Sequence, residues 1–161
     1  GGAGATPGVD EDFTICGWVT PASVTTIRGL AGTRKGSSPQ AGWDLYINSD
    51  ASVGFEFIDQ TVTYYGFGSG PGKLSNGVRA YIALSKKGRL YRLFVNGILV
   101  ASQTFNVAIY NSPGLSLRYG RLSPNHTSYD YTGRLDDWRV YKGFCLYERE
   151  FVPPTSGFID L

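Results

Sequence analysis

Apolar and polar positions alternate along most of this chain, and they do so in short runs closed by turn residues. Trp43 to Asn48 (WDLYIN) shows it most clearly. Trp43, Leu45 and Ile47 fall on one side, and Asp44, Tyr46 and Asn48 on the other, as in a half-buried antiparallel strand. Val53 to Ile58 returns in the same phase, with Val53, Phe55 and Phe57 toward the core. Phe13 to Thr20 is apolar on both sides, which predicts a strand covered on both faces at least in part. Ile27 to Lys35, Leu115 to Leu122 and Arg134 to Tyr141 read as further strands, and Thr61 to Phe67 as a strand or a mobile β-like loop. Val78 to Ser85, Arg89 to Asn96 and Ile98 to Phe105 are separated by Lys87-Gly88 and Asn96-Gly97. Asn-Gly favours a type I′ turn, so this stretch predicts a three-stranded meander. Asn106 to Asn111 has room for one helical turn. About ten to twelve short strands joined by turns predict an all-β, antiparallel two-sheet sandwich.

Composition narrows the reading. The chain has 161 residues, enough for one domain, with 42% hydrophobic and 14% aromatic residues to fill a core. Residues 1–10, beginning GGAGATPG, read as a linker or the trailing end of a preceding module, and 11–161 as the domain. A formal charge of +2 is far from the basic balance of a nucleic-acid binder. No apolar run is long enough for a membrane-spanning helix, so membrane insertion is not expected. Cys16 and Cys145 have no CxxC spacing, and His126 is the single histidine, which argues against zinc. Two buried free thiols are the favoured state, and a Cys16–Cys145 disulfide is the alternative.

The residues offer little for catalysis. No Ser-centred nucleophile motif and no phosphate loop is present. Strand phase puts Asp136 with Trp138 and Val140 toward the core, where a carboxylate needs a partner, so Asp136 and Trp138 are expected to be structural. Calcium is a minor alternative, with Asp50 and Asp130 as the loop acids within reach of such a role. A sugar site combines flat aromatic rings with planar polar groups. Tyr46, Tyr64, Tyr65, Phe67, Arg92 and Tyr129 are therefore the candidate ligand-binding residues, with Tyr46 and Arg92 expected on one sheet surface beside Asp44, Asn48, Glu56 and Arg118; the alternative is that the loop aromatics pack beneath their own loops or against a neighbouring subunit.

FTICGWVTP resembles the opening strand of concanavalin A-like jelly rolls of the laminin G type. RAYIALSKKGRLYRLFVNGILVASQTF resembles that family's central meander, and GRLDDWRVYKG its closing strand. The family usually has a further strand before the first of these, where this chain has GGAGATPGVDED. The resemblance implies a jelly roll in which the closing strand lies beside the first, which would bring Cys145 toward Cys16. The tail, with Lys142, Gly143, Tyr147, Phe151, Pro153 and Pro154, resembles laminin G-like domains of bacteriophage virion proteins. That implies a non-enzymatic virion surface module, a capsid decoration or tail-fibre domain, binding other virion proteins, identical subunits or a host-surface glycan. A lectin-like domain of a secreted or bacterial surface protein is the alternative. A glucanase is the remote one, because the family's E-x-D-x-x-E triplet of catalytic carboxylates is missing.

Overall fold

The computed structural model describes residues 11–125 and 127–155, so the expected linker 1–10 and the loop histidine His126 lie outside the described residues. The short alternating runs form ten strands among the described residues: β1 (Phe13–Pro21), β2 (Arg28–Gly32), β3 (Trp43–Ile47), β4 (Val53–Ile58), β5 (Tyr64–Gly68), β6 (Ala80–Lys87), β7 (Leu90–Val95), β8 (Ile98–Thr104), β9 (Arg118–Tyr119) and β10 (Gly133–Lys142). They make two five-stranded antiparallel sheets, ordered β10-β1-β6-β7-β8 and β5-β4-β3-β2-β9.

The core lies between the inner faces. Val53, Phe55 and Phe57 of β4 meet Tyr91, Leu93 and Val95 of β7 in one buried cluster. Tyr91 is its centre. Its ring stacks on Phe57 at 5.7 Å and 9° and meets Phe55, Phe67 and Phe105 at centroid distances of 5.4–6.4 Å. Aromatic pairs at such spacings add about 0.5–1.5 kcal/mol each beyond burial. The Asn96-Gly97 turn takes positive φ at both residues (51° and 80°), as the type I′ geometry requires.

Three expectations are corrected by backbone detail. Leu115 to Leu122 shrinks to the two residues of β9. Gly120 turns left-handed (φ 72°), and its N–H and C=O are taken by Leu30 and Tyr131. Asn106 to Asn111 holds no helical turn; instead Tyr110 donates its N–H to Ile58 and accepts from Gly42, so this stretch closes the end of the β3–β4 pair with Ile109 in the core. The third correction concerns Asp136. β10 pairs with β1 as the resemblance implies, but the register slips between Cys16 and Trp18, and Asp137 sits at φ 50°. A bulge of this kind inserts one residue and flips the alternation beyond it. Leu135 and Trp138 both reach the core, while Asp136 pairs with Trp18 on the outer side, partly exposed, its carboxylate 3.5 Å from Arg134. The Trp138 ring fills the space opposite Gly17, and its Nε1–H donates to the Trp18 carbonyl at 3.1 Å.

The outer face of the first sheet is covered by the chain's own tail. Gly143 (φ 78°) turns the chain back, and Tyr147 and Phe151 stack at 3.6 Å and 7° over Tyr81, Phe94 and Cys16. This explains why β1 is apolar on both sides. Both cysteines are free thiols. Burial pushes the Cys16 thiol up to about 11, and the Cys145 Sγ–H donates to the Tyr147 carbonyl at 3.6 Å.

Two outcomes follow. A Cβ at position 17 would lie 2.6 Å from the Trp138 ring, so Gly17→Ala should lower stability by about 2 kcal/mol in urea unfolding. Phe151→Ala should strip the cover from Cys16, and its alkylation under native conditions should then speed up at least severalfold while that of Cys145 changes little.

Candidate functional site

The outer face of the second sheet carries the chemistry. Its strands line up residues in rungs. One rung reads Gly66–Glu56–Asp44–Gly32–Arg118 across β5, β4, β3, β2 and β9. The next reads Gly68–Gly54–Tyr46–Gly29. Glycines thus flank each large polar residue and let it lie flat across its neighbour. A Cβ on Gly54 would meet the Tyr46 ring at 2.7 Å, and one on Gly32 would strike the Asp44 carboxylate.

Arg34, just beyond β2, holds this face together. One of its terminal nitrogens, Nη1, donates to Asp44 Oδ2 at 3.1 Å and to Glu56 Oε1. Its guanidinium lies 4.9 Å from the centre of the Tyr64 ring, a cation–π contact. Burial works against the Arg34 charge, but Glu56 and Asp44 together raise its pKa above the ordinary value. Asp44 is fully buried. Desolvation pushes its carboxyl up to about 7, against the pull of Arg34. Its Oδ1 has no hydrogen-bond partner. Arg118 donates from Nη2 to the Arg34 carbonyl and keeps a buried Nε without a partner.

Beside this face the loops form a cleft. A cavity of about 270 Å³ is lined by Arg34, Lys35, Gln40, Tyr64, Ser123 and Tyr129, among others. A second hollow of about 230 Å³ shares Arg34 and Lys35 and extends to Arg118 and Asn125. Cations, amide groups and two tyrosine rings therefore converge from four separate chain segments. A larger hollow of about 550 Å³ is lined by residues 145–151 alone and brings no second element to a ligand.

The six candidate residues divide accordingly. Tyr64 and Tyr129 line the cleft, and Tyr46 lies on the same sheet face. Tyr65 and Phe67 lie on the opposite side of β5, packed against the core around Phe57, Tyr91 and Phe105. Arg92 is on the outer side of the other sheet, in register with Ser85, which accepts the Tyr147 N–H of the tail. It is thus remote from Tyr46. Sequence reasoning missed Arg34 and Lys35, hidden in a strand expected to run through them. The signal was Gly32 just before, whose missing side chain leaves room for the Asp44 carboxylate that Arg34 binds. Of the loop acids considered for calcium, Asp130 is paired with Arg121 at 2.7 Å, and Asp50 caps the Ser52 N–H. Among the described residues no group of three or more His, Cys, Asp or Glu is placed to hold a metal.

Residues 4–146 match the family model of the concanavalin A-like lectin/glucanases superfamily, laminin G type. The chain belongs to this family. Its two sheets are accordingly a concanavalin A-like jelly roll. Among solved structures it is similar to the CBM40 domain of the Ruminococcus gnavus IT-sialidase bound to alpha2,3 sialyllactose, at 21% identity and a TM-score of 0.73. That match covers 87% of this chain and 80% of the other. A leech intramolecular trans-sialidase matches at 19% identity and a TM-score of 0.72, over 87% of this chain and 22% of the other. The receptor-binding domain of botulinum neurotoxin D matches at 10% identity and a TM-score of 0.59, over 93% and 37%. No curated protein sequence matches. At these identities the likeness shows the fold. It lends the virion expectation no support.

Asp44 and Glu56 face each other across β3 and β4, as paired glycosidase carboxylates would. They share one guanidinium, however, and Asp44 has no surface through which to reach a glycosidic oxygen. Removing Arg34 would leave buried charge without its partner. Arg34→Ala should therefore cost about 3 kcal/mol in denaturant unfolding, and adding Asp44→Asn should recover a large part of it.

Proposed function

We propose that this domain is a carbohydrate-binding module that takes a glycan carrying an acidic sugar in the cleft beside the second sheet. The observation that carries this reading is the convergence of Arg34, Lys35 and Arg118 with the Tyr64 and Tyr129 rings around two adjoining hollows. Tyrosine rings offer flat faces for the apolar side of a pyranose, and Gln40 and Asn125 offer planar hydrogen-bonding groups. The two hollows are lined by Arg34, Lys35 and Arg118 and by no carboxylate, which favours a carboxylate-bearing sugar. The similarity to a CBM40 domain bound to sialyllactose supports the same class of ligand.

The domain acts by binding rather than turnover in this reading, with Asp44 and Glu56 spent on fixing Arg34. A secreted or surface-displayed protein is the natural carrier. The virion setting implied by the tail is compatible with glycan binding, but only the tail residues favour it. Tyr147 and Phe151, the aromatic part of that tail, pack on this chain's own sheet.

A glycan array comparing sialylated with neutral oligosaccharides, followed by calorimetry, tests the proposal. Sialylated glycans should bind and neutral ones should bind weakly. Tyr64→Ala and Arg118→Ala should each weaken binding about tenfold or more, and Arg92→Ala, on the far sheet, should leave it unchanged. An array without hits, or equal losses from Arg92→Ala and Arg118→Ala, would count against the site.

A further inference from the structure

The outer rung of the second sheet contains a group that the glycan reading does not use directly. Asp44 is fully buried, directly between Glu56 on β4 and Gly32 on β2, with Arg118 next in the same rung. Its Oδ2 accepts from Arg34, whereas Oδ1 has no partner. In the same rung Arg118 also keeps a buried Nε without a partner. One carboxylate therefore sits beneath the two arginines that line the cleft and holds one of them. An unmade bond on a buried carboxylate oxygen costs most when the group is charged.

Resting on the glycan reading above, we propose that Asp44 is a charge-setting residue beneath the cleft: protonating it raises the cleft's net positive charge and tightens the hold on an acidic sugar. The charged and titratable groups facing Asp44 are Arg34 beyond β2, Tyr46 on its own strand, Glu56 on β4 and Arg118 on β9. Arg121 adds its field to Arg118. Arg34 keeps its second anchor on Glu56 when Asp44 is neutral, so the guanidinium stays in place while its charge is less compensated. Burial, which pushes the Asp44 carboxyl up to about 7, places the change near neutral pH.

The direction follows from the charges. Below neutrality Asp44 is protonated and the cleft is one unit more positive. Above neutrality the carboxylate offsets Arg34 and Arg118. By linkage, binding an anionic glycan draws a proton onto Asp44. A single charge several ångströms from a partly buried ligand alters affinity on the order of tenfold. Asp44 acts through Arg34 and Arg118, so it is a positioning residue. Its signature is a pH profile that depends on the charge of the ligand.

The test is calorimetric titration of the domain with alpha2,3 sialyllactose and with lactose, from about pH 5.5 to about pH 8.5. Sialyllactose affinity should fall roughly tenfold across that range in the wild type and stay flat in Asp44→Asn, at the wild type's low-pH level. The lactose titration should show no pH dependence in either protein, and a lactose profile that falls in parallel with sialyllactose would overturn the inference. Parallel profiles in wild type and Asp44→Asn would overturn the inference, as would a flat wild-type profile with binding intact. Absence of sialyllactose binding at every pH would instead overturn the glycan reading itself. Carbon-13 NMR of the wild-type carboxyl groups needs neither ligand nor variant. An Asp44 midpoint near the ordinary ~4 of an exposed carboxyl would contradict the switch, and one near neutrality supports it.

Discussion

The ordering of the outer sheet face depends on one guanidinium. Arg34 joins a fully buried carboxylate on β3 to a half-buried one on β4 and lies against Tyr64 on β5. Without it, two carboxylates would face each other across neighbouring strands with only Arg118, further along the rung, as counter-charge, a costly arrangement in a poorly hydrated place. With it, three strands and a loop share a fixed set of side chains, and the cleft gains a wall that does not need a ligand to form it. Preorganisation of this kind matters for a sugar site, because each side chain ordered only on binding would take about 0.5–1.5 kcal/mol from the affinity.

The glycines on this face complement the arginine. Gly66 and Gly32 bracket the Glu56–Asp44 pair, and Gly54 and Gly29 bracket Tyr46. In most strands a glycine is a loss, since it packs nothing and is entropically costly. At Gly66, Gly32 and Gly54 it makes the depth into which the polar residues lie, and at Gly29 it admits the backbone of Arg121 and Leu122. The two sheets have thus divided their outer faces between two tasks. One is sealed by the chain's own tail through Tyr147 and Phe151, and the other stays open and polar. Both tasks rest on the same inner core around Tyr91 and Phe57.

The sandwich was legible in the sequence because alternation has a period of two and its turns were marked. Trp43 to Asn48 and the Asn96-Gly97 hairpin needed nothing beyond local pattern. Asp136 was misplaced because a bulge at Asp137 inserts one residue, and nothing local in Asp136-Asp137-Trp138 announces it. The site was only half legible. Tyr46, Tyr64 and Tyr129 fall on or beside the open face, but phase within β5 sends Tyr65 and Phe67 inward, a fact hidden while that stretch could be read as a loop. Arg92 was assigned to that face because alternation tells inside from outside but not which of two sheets a strand joins. Arg34 was missed because its importance comes from partners 10 and 22 residues away, brought together only by strand register.

The open face of the second sheet is, in this reading, the surface that binds an acidic glycan. The most direct measurement is a nitrogen-15 NMR titration of the domain with alpha2,3 sialyllactose. Concentration-dependent shifts should concentrate at Arg34, Lys35, Tyr64, Arg118 and Tyr129, with the amides of Arg92, Tyr147 and Phe151 unmoved. Shifts confined to the tail-covered sheet, or none at millimolar ligand, would contradict it.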